Sequence, residues 1–304
     1  MPVTHPKVAV LLAAYNGMEW IEEQLASILA QIDVDLTVYI SVDLSTDGTE
    51  AWCRDFSGKQ DAVVALPPAG RFGGASRNFF RLIRDVDLSD YDFVAFADQD
   101  DVWDLDKLSR ATQAILSRDI DAYSSNVTAF WPDGRTKLVN KAQQQVAWDY
   151  LFEAAGPGCT YVMSRKLVAS LKVSILANWE KLQEVSLHDW YCYAFARSHN
   201  FKWFIDPQPS MRYRQHDSNQ FGANTSIRSF VARHRMIRSG WWFSQVQAIV
   251  ELSGNEAQLP VQFQKKMNTR DLILLALQAS RCRRRGRDKI AFFFICLLGT
   301  GVKG

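Results

Sequence analysis

Three carboxylates fall within four residues at Asp98-Gln99-Asp100-Asp101, directly after the apolar run 93–97. Carboxylates this close repel one another unless they share a cation. Hard oxygen ligands select Mg²⁺ or Mn²⁺, ions that also take oxygens from a substrate phosphate. In open α/β sheets ligands gather beyond the carboxyl ends of strands, where this run sits. The plainer alternative is a solvated acidic turn in which Asp98 or Asp101 caps the next helix. For an isolated D-x-D that alternative is the better one; position at a strand end, and three further segments, reverse it.

The second segment is Ser41-Val42-Asp43-Leu44-Ser45-Thr46-Asp47-Gly48-Thr49, again directly after a strand-like run. Thr46 and Asp47 are suited to capping the following helix. Asp43 stands too early for a cap, and a carboxylate there can accept a hydrogen bond from a pyrimidine N–H. A third strand end, Ala13-Ala14-Tyr15-Asn16-Gly17, offers Tyr15 either as a wall for the base or as ordinary packing. The fourth segment runs from Gly70 through Arg71-Phe72-Gly73-Gly74-Ala75-Ser76-Arg77 to Asn78. Glycines let backbone approach a ligand, and a helix N-terminus near Arg71 or Arg77 favours phosphate; Asn78 falls on the same donor side. The segment is not G-x-G-x-x-G, no Walker A sequence occurs, and a flexible turn reads it equally well.

Elements of matching type stand between these segments. Residues 8–14, 36–42, 61–66 and 93–97 read as buried strands, and residues 18–32, 46–56, 76–86 and 105–117 as helices. Strands alternating with helices imply an α/β fold with a mostly parallel central sheet and right-handed crossovers. A further strand is expected over 120–130, closed by the turn Trp131-Pro132-Asp133-Gly134. Residues 159–164 and 202–205 read as later strands flanking a helix that holds His188-Asp189-Trp190. From about residue 226 strand signals stop, so the chain divides into a catalytic domain, 1–222, and a helical C-terminal extension, 223–304.

Composition bounds what this arrangement serves. The 304 residues are 47% hydrophobic with a formal net charge of +2, which fits a globular protein and not a nucleic-acid binder. Five cysteines, widely spread and without a C-x-x-C pair, suit reduced thiols in a cytoplasm and suggest neither zinc nor a disulfide scaffold. No apolar run approaches the ~20 residues of a spanning helix, and residues 1–7 lack a signal-peptide pattern. The expected location is therefore cytoplasmic. A peripheral place on the inner face of the cell membrane is left open by the C-terminus. There Arg281, Arg283, Arg284, Arg285, Arg287 and Lys289 precede the short apolar run 290–298, and the same helix can equally dock on the catalytic domain.

The succession Val10…Tyr15-Asn16, Asp43-x-Ser45-Thr46-Asp47-Gly48-Thr49 and Asp98-Gln99-Asp100-Asp101-Val102-Trp103 with Asp106-Lys107-Leu108 resembles glycosyltransferase family 2. It looks most like the bacterial rhamnosyltransferase-type members that build surface polysaccharides. The resemblance covers about residues 7–222. It implies a GT-A-type fold with Mn²⁺ or Mg²⁺, and inverting transfer of a sugar, rhamnose being one candidate. The donor would be a nucleoside-diphosphate sugar and the acceptor a hydroxyl of a saccharide or lipid-linked molecule. Carried over residue by residue, Asp43 would bind the base, Asp98 the ribose and Asp100 the metal. The chain departs from the family where Val42-Asp43-Leu44 replaces Asp-Asp-Gly, which puts the base pocket in question. Gly156-Pro157-Gly158-Cys159-Thr160 resembles the acceptor-side loop, with Gly158, Cys159 and Trp190 facing the acceptor. Arg214-Gln215-His216 resembles a late basic element, so that His216 meets the diphosphate or the metal or is a surface histidine. Asp189 occupies the place of the general base, with a helix cap as its alternative. Two rivals remain: a sugar-nucleotide nucleotidyltransferase, disfavoured because Tyr15-Asn16-Gly17-Met18-Glu19 holds no basic residue, and a non-catalytic nucleotide-sugar-binding module, which intact Asp98, Asp100 and Asp189 make less attractive.

Overall fold

The structure is a computed structural model that describes residues 5–216, 240–254 and 269–299. The expected boundary between residues 222 and 223 lies outside the described residues. Strand β1 (Lys7–Ala14) is buried along its whole length except for Lys7, because helices cover both faces of the sheet. It pairs in parallel with β2 (Asp35–Val42) and with β4 (Phe93–Asp98), and β2 pairs in parallel with β3 (Val63–Ala65). Helices α1 (Ile21–Leu29), α2 (Thr49–Ser57), α3 (Ala75–Asp85) and α4 (Lys107–Arg118) supply the crossovers. On α3, Phe79, Phe80, Leu82 and Ile83 are all fully buried. Each such side chain contributes about 1.5–3 kcal/mol.

The sheet continues past β4 with a change of direction. Its order is β10-β6-β9-β4-β1-β2-β3, where β6 is Ala122–Ser125, β9 is Val162–Ser164 and β10 is Trp203–Asp206. Strand β9 runs antiparallel to both β4 and β6, while β6 and β10 are parallel. Residues 159–160, expected to open β9, lie in a 3₁₀ turn over Gly158–Thr160 instead.

A second sheet, β5-β11-β7-β8, stands against the end of the first. It contains β5 (Val102–Trp103), β7 (Val127–Phe130), β8 (Thr136–Val139) and β11 (Met211–Arg214). The single strand expected over 120–130 is therefore two strands in different sheets. Asn126 makes the break: its N–H donates to Asp206 O, its Nδ2 to Pro207 O, and its Oδ1 accepts from Lys141 N and Ala142 N. The expected turn is formed, with Gly134 at φ 83° and its N–H on Trp131 O.

Helices α5 (Arg165–Ala177), α6 (Trp179–Leu182) and α7 (His188–Ser198) pack behind the first sheet. Beyond the undescribed segments come α8 (Trp241–Leu252), α9 (Thr269–Leu277), α10 (Ala279–Cys282) and α11 (Gly286–Gly299). These late helices share one core with α3, α5 and α7: Val246, Ile249, Leu275, Cys282 and Phe292 sit in the same cluster as Phe79, Leu171 and Tyr191. Phe152 lies edge-on to Phe292, with ring centroids 5.0 Å apart. No helix among the described residues is long and apolar enough to cross a membrane.

The basic residues near the C-terminus do not share one free face. The Arg284 side chain is fully buried between Asp149 and Glu153, 3.5 Å from each, and its Nη2 donates to Ala154 O. Arg283 donates to Phe152 O, and Arg281 lies 4.0 Å over the Trp148 ring. A buried cation needs such partners, and only the domain interior offers them here.

Candidate functional site

Strands β1 and β2 end in register, Ala14 opposite Val42, and Asp43 N–H donates to Ala14 O. The loop after β1 is then braced by the segment after β2. Asn16 N–H donates to Ser45 Oγ, Gly17 N–H to Thr49 Oγ1, Met18 N–H to Asp47 Oδ2, and Thr46 N–H to Asn16 Oδ1. Asp47 was expected to cap α2; its Oδ1 accepts from Thr49 N–H and Oγ, and Gly48, in the left-handed region, is the capping residue. A third clamp comes from β4: Gln99 accepts Tyr15 N–H at 2.7 Å and donates to Tyr15 O at 2.8 Å. A Cβ on Gly17 would overlap the Gln99 amide oxygen, so a larger residue here would displace that clamp. Tyr15 is thus rigid in backbone and 49% exposed in side chain, the state needed to stack against a flat ligand.

Asp43 is buried, and its carboxylate accepts Leu44 N–H, Phe72 N–H at 2.7 Å and Gly73 N–H at 2.8 Å. It therefore ties down the loop of residues 70–74, whose Gly70 and Gly73 adopt left-handed φ values of 86° and 73°. Arg71 is exposed on that loop, whereas Arg77 holds it closed through Phe72 O and Gln183 O. Asn78, expected on the donor side, lies beneath it. Its Nδ2 donates to Ser41 O and Ala14 O, and its Oδ1 is buried without a partner among the described residues. An amide placed between two strand ends is held by their carbonyls, so Asn78 supports the pocket floor.

The acidic run crosses from the first sheet to the second, β4 ending at Asp98 and β5 starting at Val102. Strand β11 returns alongside. Arg214 N–H donates to Asp101 Oδ1, its Nε to Asp100 O, and its guanidinium pairs with Glu23. Two residues later, His216 Nε2 lies 2.7 Å from Asp100 Oδ2, and its ring stacks on Trp20 with centroids 4.1 Å apart. One oxygen and one imidazole nitrogen from Asp100 and His216 make a donor set that fits Mn²⁺, with phosphate and water oxygens completing it.

Below this pair further ionisable groups crowd together. Asp98 is pushed up to about 7, first by burial and then by Asp100 and Asp189. Asp101, fully buried, is raised well above the usual carboxylate range by burial and by Asp100 and Asp98. Cys159 lies under both, its ligand atom and theirs all within 4.8 Å of one another, and its thiol is raised by burial and by the two carboxylates. Lys107 completes the group, fully buried with its ammonium 3.8 Å over the Trp103 ring and lowered to about 8 by burial.

Asp189 opens α7 and faces the same region. Its Oδ1 accepts Trp190 N–H at 2.8 Å, and burial raises it to about 6 against the lowering pull of that bond and of Lys141. His188 is stacked on Phe79 with centroids 3.9 Å apart, and burial lowers it to about 3, so it is a neutral spacer. Gly158 closes the acceptor-side loop onto this helix: a Cβ there would stand 2.6 Å from His188 Nε2 and 3.1 Å from Asp189 Cβ. Trp190, expected to face the acceptor, points inward. It is 3% exposed and its Nε1 donates to Tyr150 O, because α7 buries that face against the core.

Asp98, Asp100, His216, Asp189, Gly158 and Cys159 are thus gathered at the end of β4, while Tyr15, Asp43 and Arg71 line the neighbouring strand ends. Gln99, Trp20, Arg214 and Lys107 also shape the site. Gln99 carried a signal in standing inside the acidic run; Trp20 carried none, since it pairs with a residue 196 positions later.

Residues 5–171 match the family described as "Glycosyltransferase like family 2". Over 288 residues, 94% of this chain and 99% of the other, the sequence is 43% identical to the dTDP-rhamnosyl transferase RfbG of Shigella flexneri. Among solved structures, residues 1–349 of S. aureus TarS in complex with UDP-GlcNAc superpose with a TM-score of 0.55 at 14% identity, covering 97% of this chain and 89% of that one. The mannosyltransferase PcManGT from Pyrobaculum calidifontis, in complex with GDP-Man and Mn²⁺, gives 0.54 at 15% identity, covering 98% and 88%.

Proposed function

The chain belongs to glycosyltransferase family 2, and from that premise we propose that it moves rhamnose from dTDP-rhamnose to a hydroxyl of a saccharide or lipid-linked acceptor. The family and the 43% identity to a dTDP-rhamnosyl transferase make it a nucleotide-sugar glycosyltransferase of polysaccharide synthesis. The donor sugar, acceptor, metal and residue roles are our reading. Residues 1–222 carry the chemistry in this reading. Residues 223–304 brace it and bring the protein to the inner face of the cell membrane.

One observation carries the assignment of roles: Asp98, at the end of β4, lies within electrostatic reach both of Asp100, which pairs with His216, and of Asp189 at the start of α7. Tyr15 stacks against the base, and Asp43 reads it or fixes the loop that does. Arg71 on that loop meets the diphosphate, and Asp98 takes the ribose hydroxyls. Mn²⁺ or Mg²⁺ bound at Asp100 and His216 would neutralise charge on the departing diphosphate. Asp189 removes the proton from the acceptor hydroxyl as that oxygen attacks the anomeric carbon from the face opposite the diphosphate, which inverts the centre. The buried surroundings that lift Asp189 to about 6 make it a stronger base than a solvated aspartate.

The test is donor turnover by the purified full chain across dTDP-rhamnose, UDP-glucose, UDP-GlcNAc and GDP-mannose, with Mn²⁺ or with excess chelator. Slow hydrolysis and thermal stabilisation with dTDP-rhamnose plus Mn²⁺ are expected, and both should vanish in Asp100→Ala. Turnover undiminished by chelator refutes the metal assignment. Preference for another donor refutes rhamnose, and binding without turnover returns the non-catalytic reading.

A further inference from the structure

Helices α9 and α11 pack against each other, and each turns a one-sided apolar surface outward. At 100° per residue, Arg270, Ile273, Leu274 and Leu277 fall within one arc of α9, and all four are exposed. The opposite arc, Leu272, Leu275 and Ala276, is buried in the core. On α11, Arg287, Ile290, Ala291 and Phe294 share an exposed arc opposite the buried Phe292 and Cys296. Ile290 and Phe294 are 63% and 56% exposed and Leu277 66%, although an apolar core lies within the same helices. The charges on these arcs are of one sign: Arg270 and Arg287 are basic, and neither arc holds a carboxylate. Asp288, on the flank of α11, is engaged by Arg283 and Arg287.

We propose that the outward arcs of α9 and α11 form a docking surface for an anionic lipid bilayer. The inference rests on the reading that the enzyme meets a lipid-linked acceptor, and it specifies the face that does so. Apolar side chains beside arginines are the pattern of a helix lying in the headgroup region: Phe294, Ile290, Leu277 and Ile273 dip below the phosphates while the guanidinium groups pair with them. A protein partner is less well matched, because neither arc carries the acids or amides that would fix the register of a specific interface. The basic residues that the sequence placed on this surface are only partly there, since Arg283 and Arg284 face inward. The apolar part gains α9, which the basic run did not announce.

Co-sedimentation of the full chain with vesicles tests this. Wild type is expected to bind phosphatidylglycerol/phosphatidylethanolamine vesicles at physiological salt and not pure phosphatidylcholine, with binding weakened as salt rises. Ile273→Glu with Leu277→Glu, and separately Phe294→Glu, should each weaken binding at least about tenfold while hydrolysis of dTDP-rhamnose and melting temperature stay close to wild type. Leu116→Glu, an equally exposed leucine on α4, should leave binding unchanged. The proposal is overturned if wild type ignores anionic vesicles or if the face substitutions leave binding intact. It is also overturned if light scattering shows a dimer that Ile273→Glu with Leu277→Glu dissolves. Vesicle binding can fail while donor turnover persists, and the reverse, so the two readings fall separately.

Discussion

Asp189 is the acidic residue in the first turn of α7 and, in the reading proposed above, the base that takes the acceptor proton; a structural role and a catalytic one respond differently to substitution. The N-cap of α7 is Leu187, and the Asp189 carboxylate accepts Trp190 N–H; Asp189→Asn keeps the shape and an oxygen for that bond, so stability should hold while turnover falls at least about 10²-fold. The pH dependence has a definite sign. A base must be ionised, so kcat should rise with pH up to about 6, where burial places this carboxyl, and level off above it. A carboxyl whose folded pKa is raised stabilises the fold below its ordinary value of 3.8 and loses that contribution as pH climbs through about 6. Above that pH the asparagine variant should therefore melt no lower than wild type, which differential scanning fluorimetry reads directly. At this scale the sequence was informative about residue type and poor about direction. Asp98, Asp100 and Asp189 could be picked out as candidates from their places at strand and helix ends, and the structure does gather them at the end of β4. Trp190 and Asn78 were misplaced because a polar atom beside a site can equally face the strands that build it, and only the packing of α7 and α3 decides.

Among the elements, β1, β2 and β4 were readable to within one residue: β1 and β4 are apolar runs buried on both faces, and β2 is rich in β-branched and aromatic residues. The second sheet was not. Strand β5 has two residues, β11 alternates with arginines, and a single residue, Asn126, separates β6 from β7, too short a gap to announce a change of sheet. The link between α10 and the 3₁₀ turn of residues 149–151 was also invisible, because it depends on ion pairs between distant segments. Arg284 contacts Asp149, and Asp149 accepts Tyr193 Oη on α7 at 2.8 Å. Arg284→Met removes the cation and leaves Asp149 with Arg197 as its remaining charged partner. The expected cost is toward the lower end of the roughly 3–5 kcal/mol for breaking a buried pair, seen as a melting temperature lowered by several degrees. A variant as stable as wild type would show that the network stabilises nothing.

At the scale of the whole molecule, the division into a catalytic part and an extension is one of sequence order and not of packing. Phe152, Trp242 and Phe292 meet around one core, and Gln245 on α8 accepts Ser186 N–H and donates to Glu184 O in the turn leading into α7. Near-UV circular dichroism and loss of donor binding should therefore trace a single thermal transition. Two separated transitions would show that the C-terminal helices unfold alone. The joining of distant segments also sets an order in time. Asp100 and His216 are 116 residues apart, and they meet only when β11 slots between β5 and β7. At about 5–20 residues per second of synthesis, the acidic run waits roughly 6–23 seconds for its imidazole. Throughout that interval the nascent chain presents a charged strand end without its histidine, and the two edges flanking the place of β11 stay unpaired. Chaperones that shield exposed strand edges would find their target in that window, and a pause in translation before Met211 would lengthen it.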